Sequence, residues 1–446
     1  MTPRSKTGER GGAILIKGGR VIDPSQGMDQ TADLLIENGK VVRIGKELRA
    51  EGARVLEAKA KVVTPGFIDL HVHLRTPGQE HKETILTGSR AAVRGGFTTI
   101  CTMANTDPVV DSSAVVEFLK AENAKVGLVN LMPYAAVTMG LKGETLTEMA
   151  QLQEAGAAGF SDDGMPVANA GMMRRALEYS RVTGLPVIAH CEEKTLSGHG
   201  VAHDGPTAVR LGLAGIPAET ETVMVARDLL LAEGTGGRLH IAHLSTARGV
   251  ELVRAAKKRG VRVTAEVTPH HLSLSEEALS TYDSRFKMNP PLRTQKDLEV
   301  LREGLKDGTI DAVATDHAPH SAAEKEAGFS QAPFGVVGLE TAVAVLLTEL
   351  VHRGAVPLNT LVEALTCRPA KVLGSNRGTL AAGAPADVAV LDTEEEWAVE
   401  TGAFASKSAN TPFLGWRLKG RVTDVLVGGR EVYRGGQFTN GGSHER

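Results

Sequence analysis

Residues 66–75 read Gly66-Phe67-Ile68-Asp69-Leu70-His71-Val72-His73-Leu74-Arg75, an apolar run that ends in two histidines one residue apart. Such a run is typical of a short buried strand. Residues two apart on a strand point to the same side, so we expect His71, His73 and Arg75 on one face. Paired imidazoles are ligands for a zinc-type ion, and a guanidinium beside them can hold an anion. Because His-x-His pairs also occur in surface loops, the interpretation depends on the rest of the chain.

Apolar runs of strand length alternate with amphipathic segments of helical length along the middle of the chain. The runs are 67–72, 97–103, 126–134, 157–161, 185–189, 239–242, 262–267 and 310–315. The amphipathic segments include 112–123, 171–183, 219–233, 246–258 and 295–307. Strand–helix alternation predicts parallel βαβ units, and eight of them predict an α/β fold built as a TIM-like (β/α)8 barrel. A doubly wound sheet is the alternative, but the chain lacks its Gly-x-Gly-x-x-Gly turn.

Both ends of the chain have a different sequence pattern, with short strand-like stretches separated by glycine-rich turns. Strand-like stretches fill 13–63, with a turn at Asn38-Gly39, and they return at 387–391 and 422–427. These ends predict one small β-sandwich domain formed from the N- and C-terminal segments together. The predicted domains are residues 1–64 (N-terminal part of the sandwich), 65–374 ((β/α)8 barrel) and 375–446 (C-terminal part of the sandwich and tail).

Composition narrows the function classes. The net charge of −3 gives no basic field for nucleic acid, and no apolar stretch is long enough to span a bilayer. The cysteines, Cys101, Cys191 and Cys367, are far apart and form no Cys-x-x-Cys pair. This spacing argues against a disulfide scaffold and favours a reducing, cytoplasmic location, and the N-terminus shows no signal-peptide core. The composition therefore gives no support for a nucleic-acid-binding or membrane-spanning protein.

In a barrel of this type, chemistry belongs at the C-terminal ends of the strands. Polar residues follow the predicted strands there: His71, His73, Arg75, Asn105, Asp162, Asp163, His190, His243, His270, His271, Asp316 and His320. Four histidines and two aspartates on one buried face would repel and desolvate one another unless a cation compensated them. Six ligands exceed what one zinc takes, so two metals are expected, sharing a hydroxide that attacks a carbonyl carbon. Asp316 is placed to be both ligand and proton carrier.

The other histidines and the glycine-rich segment 193–218 carry weaker expectations. A structural role is favoured for His270 and His271. Four histidines are expected to be solvent-exposed: His81, His199, His203 and His352. The segment 193–218 follows the fifth strand and predicts a mobile loop over the site, with a passive linker as the alternative.

These segments together resemble the class I dihydroorotases of the amidohydrolase superfamily. The matching segments are 65–75, 95–99, 103–106, 161–164, 189–192, 241–246, 287–293, 314–320 and 333–335. They run across the whole barrel and as a set are very specific. The resemblance implies the reversible cyclisation of N-carbamoyl-L-aspartate to L-dihydroorotate and water, a step of de novo pyrimidine (UMP) synthesis. It also implies two Zn²⁺ per subunit with a bridging hydroxide, and Asp316 as general acid and base.

The resemblance also implies roles for individual residues. The metal set is His71, His73 and Asp316 on one zinc, His190 and His243 on the other, and Asp163 as the bridge, with Asp162 left as the alternative bridge. The substrate set is His73, Arg75, Asn105, Asn289, His320, Phe334 and Gly335. Within it, Arg75, Asn105 and His320 would hold the carboxylate. Asn289 and the Phe334-Gly335 backbone would meet the ring amide.

Two alternatives remain open within the resemblance. Hydantoinases and allantoinases bridge their metals with a carbamylated lysine on the fourth strand, whereas residues 159–164 contain no lysine. This departure favours the aspartate-bridged class, whose site needs no CO2. The second alternative is a non-catalytic scaffold for aspartate transcarbamoylase, but such relatives lose metal histidines and this chain keeps every candidate ligand. A complex of an active enzyme with aspartate transcarbamoylase is a possible partnership, and a homodimer is the default assembly.

Overall fold

The structure is a computed structural model that describes residues 12–439, and the chain ends 1–11 and 440–446 lie outside the described residues. Its strands are β1 (Ile14–Asp23), β2 (Met28–Glu37), β3 (Lys40–Gly45), β4 (Arg54–Glu57), β5 (Val62–Pro65), β6 (Phe67–Val72), β7 (Phe97–Thr102), β8 (Asn130–Pro133), β9 (Phe160–Ser161), β10 (Val187–Ala189), β11 (Ala202–His203), β12 (Gly215–Ile216), β13 (Leu239–Ile241), β14 (Val263–Val267), β15 (Ala312–Val313), β16 (Val388–Ala398), β17 (Arg417–Val427), β18 (Arg430–Arg434) and β19 (Gln437–Phe438).

The helices lie mostly between the strands of the middle region. They are α1 (Ile85–Arg94), α2 (Ser113–Val126), α3 (Met149–Ala155), α4 (Ala170–Thr183), α5 (Lys194–Ser197), α6 (Pro206–Leu211), α7 (Glu219–Thr235), α8 (Ala247–Lys258), α9 (Pro269–Ser273), α10 (Gln295–Lys306), α11 (Ala322–Lys325), α12 (Ala342–Leu346), α13 (Leu358–Leu365) and α14 (Cys367–Leu373). Among residues 12–439, no helix combines the length and the hydropathy that crossing a membrane requires.

Eight parallel strands close the predicted barrel. They pair as β6-β7-β8 and as β9-β10-β13-β14-β15. Two isolated parallel bridges join these groups, one from Ala135 to Phe160 and one from Val72 to His317. Every predicted apolar run of the middle region contributes one strand, so the barrel prediction is confirmed. Side chains inside the barrel pack against one another, and helices cover its outer face. Both faces of each strand are therefore buried, which explains why the runs read as continuously apolar.

The two ends of the chain form one mixed sheet. Its strand order is β19-β18-β17-β16-β5-β1-β2-β3, with β4 beside β1. At the junction, β5 pairs antiparallel with β16, placing Val63 opposite Val390. Fully buried residues such as Ile16, Leu34 and Leu426 form the core of this region. The prediction of a small β domain built from both termini is confirmed, while the exact boundaries after residues 64 and 374 stay a prediction.

Helix caps lie close to the functional strand ends. The Thr246 hydroxyl, three residues after His243, accepts the Gly249 N–H and caps the N-terminus of α8. The buried Glu221 carboxylate accepts the N–H groups of Ser245 and Thr246, at 3.1 and 3.0 Å. The chain that follows β13 is therefore fixed on both sides of the turn that presents His243.

The segment 193–218 contains α5, α6 and a small parallel sheet in which Ala202 of β11 pairs with Gly215 of β12, while its mobility stays a prediction. His203 was expected to be exposed, and this was wrong. Its side chain is buried, and its Nδ1 accepts a hydrogen bond from Arg293 Nη1 at 3.1 Å. The glycines of this segment serve its tight packing: a Cβ on Gly200 would lie 2.5 Å from the Gly215 carbonyl oxygen.

Candidate metal centre and substrate cavity

Four buried histidines surround one carboxylate at the C-terminal face of the barrel. Oδ1 of Asp163 lies 3.4 Å from His71 Nε2, 3.5 Å from His190 Nδ1 and 3.6 Å from His243 Nε2. Its other oxygen, Oδ2, lies 3.5 Å from His73 Nε2. Asp163 thus belongs to two candidate ligand groups at once, one with His71 and His73 and one with His190 and His243.

The neighbouring Asp162 turns the other way. Its carboxylate accepts the backbone N–H groups of Val137 and Thr138, at 2.7 and 3.0 Å, and the Thr138 hydroxyl. Burial raises the pKa of Asp162 to about 6, although these donors act against the shift. The two acids that the sequence left as alternatives therefore face different surroundings: Asp163 meets the histidines, and Asp162 ties the chain after β9 to the chain after β8.

Asp316 adds a second carboxylate to the same face. Its Oδ1 lies 3.5 Å from His71 Nε2 and 3.3 Å from His73 Nε2. Burial alone would raise the pKa of Asp316, but the charge of His71 and the contact with His73 outweigh it and hold the pKa well below the ordinary value. Asp163 is shifted in the same direction, because His71, His190 and His243 outweigh its burial. Both acids are therefore ionised and electron-rich.

Buried acceptors fix the orientation of the histidines. His71 Nδ1 lies 2.8 Å from Glu266 Oε1, and His73 Nδ1 lies 3.0 Å from Asn105 Oδ1. An ionised carboxylate or an amide oxygen can only accept, so both Nδ1 atoms carry a proton and Nε2 is the atom that each ring turns towards the aspartates. Glu266 also accepts from His240 Nε2 at 3.1 Å. The sequence interpretation missed Glu266. The signal available was an acidic residue near the end of the predicted strand 262–267, between Ala265 and Val267.

The face is built on strained backbone. Arg75, His243 and Asp316 have φ values of 59°, 30° and 48°, in the left-handed region that non-glycine residues avoid. Each such residue costs about 1–3 kcal/mol, which the packing around the strand ends must offset. Arg75 lies beyond the end of β6 at Val72, so strand alternation does not carry its side chain to the histidine face as expected. The left-handed backbone of Arg75 itself turns the chain beside that face.

The donor set suits a metal centre. Two buried atoms that point into the face, His71 Nε2 and Asp163 Oδ1, have no hydrogen-bond partner. An unpaired buried nitrogen or oxygen costs about 1–3 kcal/mol, and ligation of a cation removes that cost. His190 Nδ1 lies only 2.8 Å from His243 Nε2, so two imidazole nitrogens converge where a cation would separate them. Imidazole nitrogens with carboxylate oxygens are a ligand set that zinc takes.

A cavity of about 330 Å³ adjoins these ligands, and all predicted substrate-binding residues line it. Arg75 is buried in its wall, where Nε donates to the Pro319 carbonyl at 3.2 Å. Its Nη2 lies 3.4 Å from His320 Nε2. Burial and the nearby Arg75 lower the pKa of His320 to about 3, so His320 is a neutral partner. A guanidinium with donors left over and a neutral imidazole can bind a carboxylate at this end.

The opposite wall contains a residue that the sequence interpretation left without a role. Glu192 Oε2 accepts from three donors: His190 Nε2 at 3.0 Å, Asn289 Nδ2 at 2.9 Å and Lys194 Nζ at 2.6 Å. The contact fixes the His190 ring with Nδ1 towards Asp163. It also holds the Asn289 amide in the cavity wall. Glu192 follows His190 by two residues, and this spacing was the signal that could have identified it.

Phe334 and Gly335 form a third side of the cavity. Gly335 has φ +133°, and a Cβ there would lie 3.0 Å from His320 Nε2, so glycine leaves room for that imidazole, whose Nε2 lies 2.9 Å from the Phe334 carbonyl oxygen. Both backbone groups of Gly335 are already engaged, since its N–H donates to the Lys287 carbonyl at 3.0 Å and its carbonyl accepts from Lys325 and Asn410. The backbone group that this wall leaves for a substrate amide is therefore the Phe334 N–H.

Comparison with known proteins finds similar sequences among dihydroorotases. A family model described as dihydro-orotase-like matches residues 60–249. A dihydroorotase of Pelotomaculum thermopropionicum is 55% identical over 94% of this chain and 98% of its own length. A dihydroorotase of Anaeromyxobacter dehalogenans is 54% identical over 95% of this chain and 98% of its own length.

Solved structures share the same architecture. The L-hydantoinase (dihydropyrimidinase) of Arthrobacter aurescens has a TM-score of 0.86 and 28% identity, and the match covers 96% of this chain and 97% of that one. A D-hydantoinase (dihydropyrimidinase) from a Thermus species has a TM-score of 0.82 and 29% identity over 96% of this chain and 97% of that one.

Proposed function

The chain belongs to the dihydroorotase family, and from that premise we propose that its barrel face binds two zinc ions and catalyses ring closure and opening beside them. The reaction is the reversible cyclisation of N-carbamoyl-L-aspartate to L-dihydroorotate and water. The chain is thus a cyclic amidohydrolase that acts on a small molecule. The observation that carries the two-metal proposal is the single carboxylate of Asp163, which reaches four histidines through its two oxygens.

The ligands divide into two groups. His71, His73 and Asp316 would hold one metal, His190 and His243 the other, and Asp163 would serve both. When bound, such a pair lowers the pKa of water towards neutrality and polarises a carbonyl oxygen. Glu266 and Glu192 keep His71 and His190 in the tautomers that turn a lone pair towards the ligand face. The choice of zinc rests on the nitrogen-rich ligand set.

The substrate carboxylate fits the end of the cavity formed by Arg75, Asn105 and His320. Arg75 provides a charged fork, and His320 stays neutral. The Asn105 amide donates one N–H to the Asp163 carbonyl at 3.3 Å, which leaves its second N–H for the ligand. The ring amide would lie between Asn289 and the Phe334 backbone. Residues that contact both ends of the substrate fix its carbonyl at the ligand face.

Asp316 is the proposed proton carrier. It is ionised, buried and next to the His71 and His73 ligands, so it can take a proton from the attacking water and pass it to the ring nitrogen that leaves. Ring closure runs the same transfers in reverse. Residues 159–164, at the end of β9, contain no lysine, so the proposal requires no carbamylation of the site.

Assembly and location extend the proposal. The unpaired cysteines, two of them buried, are consistent with a cytoplasmic enzyme. A homodimer, and a complex with aspartate transcarbamoylase, are proposed as the assemblies to look for. Gel filtration of the chain alone and with that partner distinguishes them.

The experiment that tests the proposed function measures L-dihydroorotate hydrolysis by its ultraviolet absorbance, with hydantoin and allantoin as parallel substrates and metal content determined on the same sample. Turnover of dihydroorotate alone with two zinc ions per chain is expected. Turnover of hydantoin in preference would contradict the carboxylate-binding role of Arg75. A fully loaded protein that turns over none of the three would contradict the activity.

A further inference from the structure

Two buried lysines lie behind the Phe334 wall of the cavity. Lys325 is 6% exposed and Lys287 is 3% exposed. Among residues 12–439, neither ammonium forms an ion pair with a carboxylate. Burial, followed by the charge of Lys287, lowers the pKa of Lys325 to about 7. An apolar side chain would fill this space at a lower electrostatic cost. The role of the two amines is therefore expected in the groups that they contact.

Both amines contact backbone carbonyls of one irregular segment. Lys325 Nζ donates to the carbonyls of Pro333 and Gly335 at 3.0 Å each, and to that of Lys287 at 3.3 Å. Lys287 Nζ donates to the Ser330 carbonyl at 2.9 Å and lies 4.7 Å from the centre of the Phe334 ring. Residues 326–335 contain no helix or strand, so their buried carbonyls depend on such donors.

The contact to Pro333 determines where the next amide points. In a trans peptide the carbonyl of one residue and the N–H of the following residue point in opposite directions. Because the Pro333 carbonyl points at Lys325, the Phe334 N–H points away from that lysine. Within residues 12–439 this N–H has no acceptor, and Phe334 lines the cavity. A free backbone donor is thus left on the substrate side of the wall.

We propose that Lys325 is a positioning residue that fixes the peptide plane between Pro333 and Phe334, so that the Phe334 N–H can donate to a carbonyl oxygen of the substrate. Lys287 supports the same segment from Ser330 and from beneath the Phe334 ring. The proposal rests on the proposed function for the identity of the substrate. It makes Lys325 a determinant of substrate binding that neither touches substrate nor lies near the metal ligands.

The test compares Lys325→Met with Lys325→Arg and with the control Lys120→Met. Lys120 also donates to a carbonyl, that of Ala155 at 2.8 Å, but it lies on α2 and lines no part of the cavity. We expect Lys325→Met to raise the KM for dihydroorotate roughly tenfold, the value of about one hydrogen bond. Its kcat should change less than about threefold and its metal content should be unchanged, because no ligand moves. Lys325→Arg should recover part of the KM, and Lys120→Met should match the wild type.

A second readout does not depend on turnover. Amide hydrogen exchange of the ligand-free proteins should show faster exchange within 326–336 in Lys325→Met and no change around β13 or β15. An unchanged KM together with wild-type exchange in 326–336 would overturn the proposal. If the wild type fails to hydrolyse dihydroorotate, the proposed function falls while the exchange comparison still decides the role of the lysine. If Lys325→Met does not fold, Lys325→Ala and Lys287→Met provide the same comparison, and wild-type exchange and KM in both would overturn the proposal.

Discussion

The ligand face and the Phe334 wall adjoin one cavity but are built in opposite ways. The face consists of side chains at strand ends, and three of its four histidines have a second contact: His71 with Glu266, His73 with Asn105 and His190 with Glu192. The wall consists of backbone from an irregular segment, held from behind by Lys325 and Lys287. The ligand face and the Phe334 wall therefore have separate supports. Variants of the face should therefore change metal content or kcat, and variants of the wall should change KM.

The sharpest test of that separation is Asp163→Ala. Its carboxylate reaches both candidate ligand groups, so the variant should lose both metals and have no measurable turnover. Metal analysis of the purified protein checks this. The matched control is Asp162→Asn, which removes the charge of the adjacent acid that faces Val137 and Thr138. It should keep both metals, and equal metal loss in the two variants would break the assignment.

The next largest effect is expected for Asp316→Asn. An asparagine preserves the shape and an oxygen ligand but cannot carry the proton, so kcat should fall about 10²–10⁴-fold. Metal should remain largely bound, because His71, His73 and Asp163 are intact. Single-turnover kinetics with metal analysis check both parts. Near-normal kcat in this variant would exclude Asp316 as the general acid and base.

Arg75 tests the substrate side of the comparison. Arg75→Met should raise the KM for dihydroorotate by about 10²-fold, since losing one partner of a buried charge pair costs 2–5 kcal/mol. Both metals should stay bound. Arg75→Lys keeps the charge but loses the fork, and should fall between this variant and the wild type. A loss of metal in Arg75→Met would show that face and cavity wall are not separate.

The smallest effect among these is expected for Glu266→Gln. The amide can still accept from His71 but no longer carries a charge, so metal affinity should fall about 10–100-fold with KM for substrate unchanged. Competition with a chelator measures the affinity. His240→Gln removes the other partner of Glu266 and should have an effect of the same kind but smaller. Unchanged metal release in both variants would mean that Glu266 serves only the barrel interior.

The sequence predicted the ligand face better than its surroundings, for a physical reason. Strand ends of a parallel barrel meet at one face, so a local pattern such as His71-Val72-His73 locates a side chain without knowledge of distant residues. The choice between Asp162 and Asp163 could not be made this way. It depends on which acid finds donors at Val137 and Thr138, a contact between separate parts of the chain.

The lysines behind the wall and the structure of the segment 193–218 could not be predicted, for the complementary reason. Lys325 reads as a surface lysine in a polar segment, and its burial follows from carbonyls that the sequence does not locate. His203 reads as exposed beside several glycines, but β11 pairs with β12 and places it against Arg293. Glycine-rich composition predicted mobility, whereas the glycines here allow close backbone packing.

The pairing of β5 with β16 has a consequence for synthesis of the protein. Val62–Pro65 comes directly before the first barrel strand, but its outer neighbour, Val388–Ala398, follows the whole barrel. While the chain is being translated, this edge of β5 stays unpaired until residues 388–398 leave the ribosome. Exposed strand edges promote aggregation. A chain that stops before residue 388 should therefore leave the edge of β5 open to chaperones and proteases.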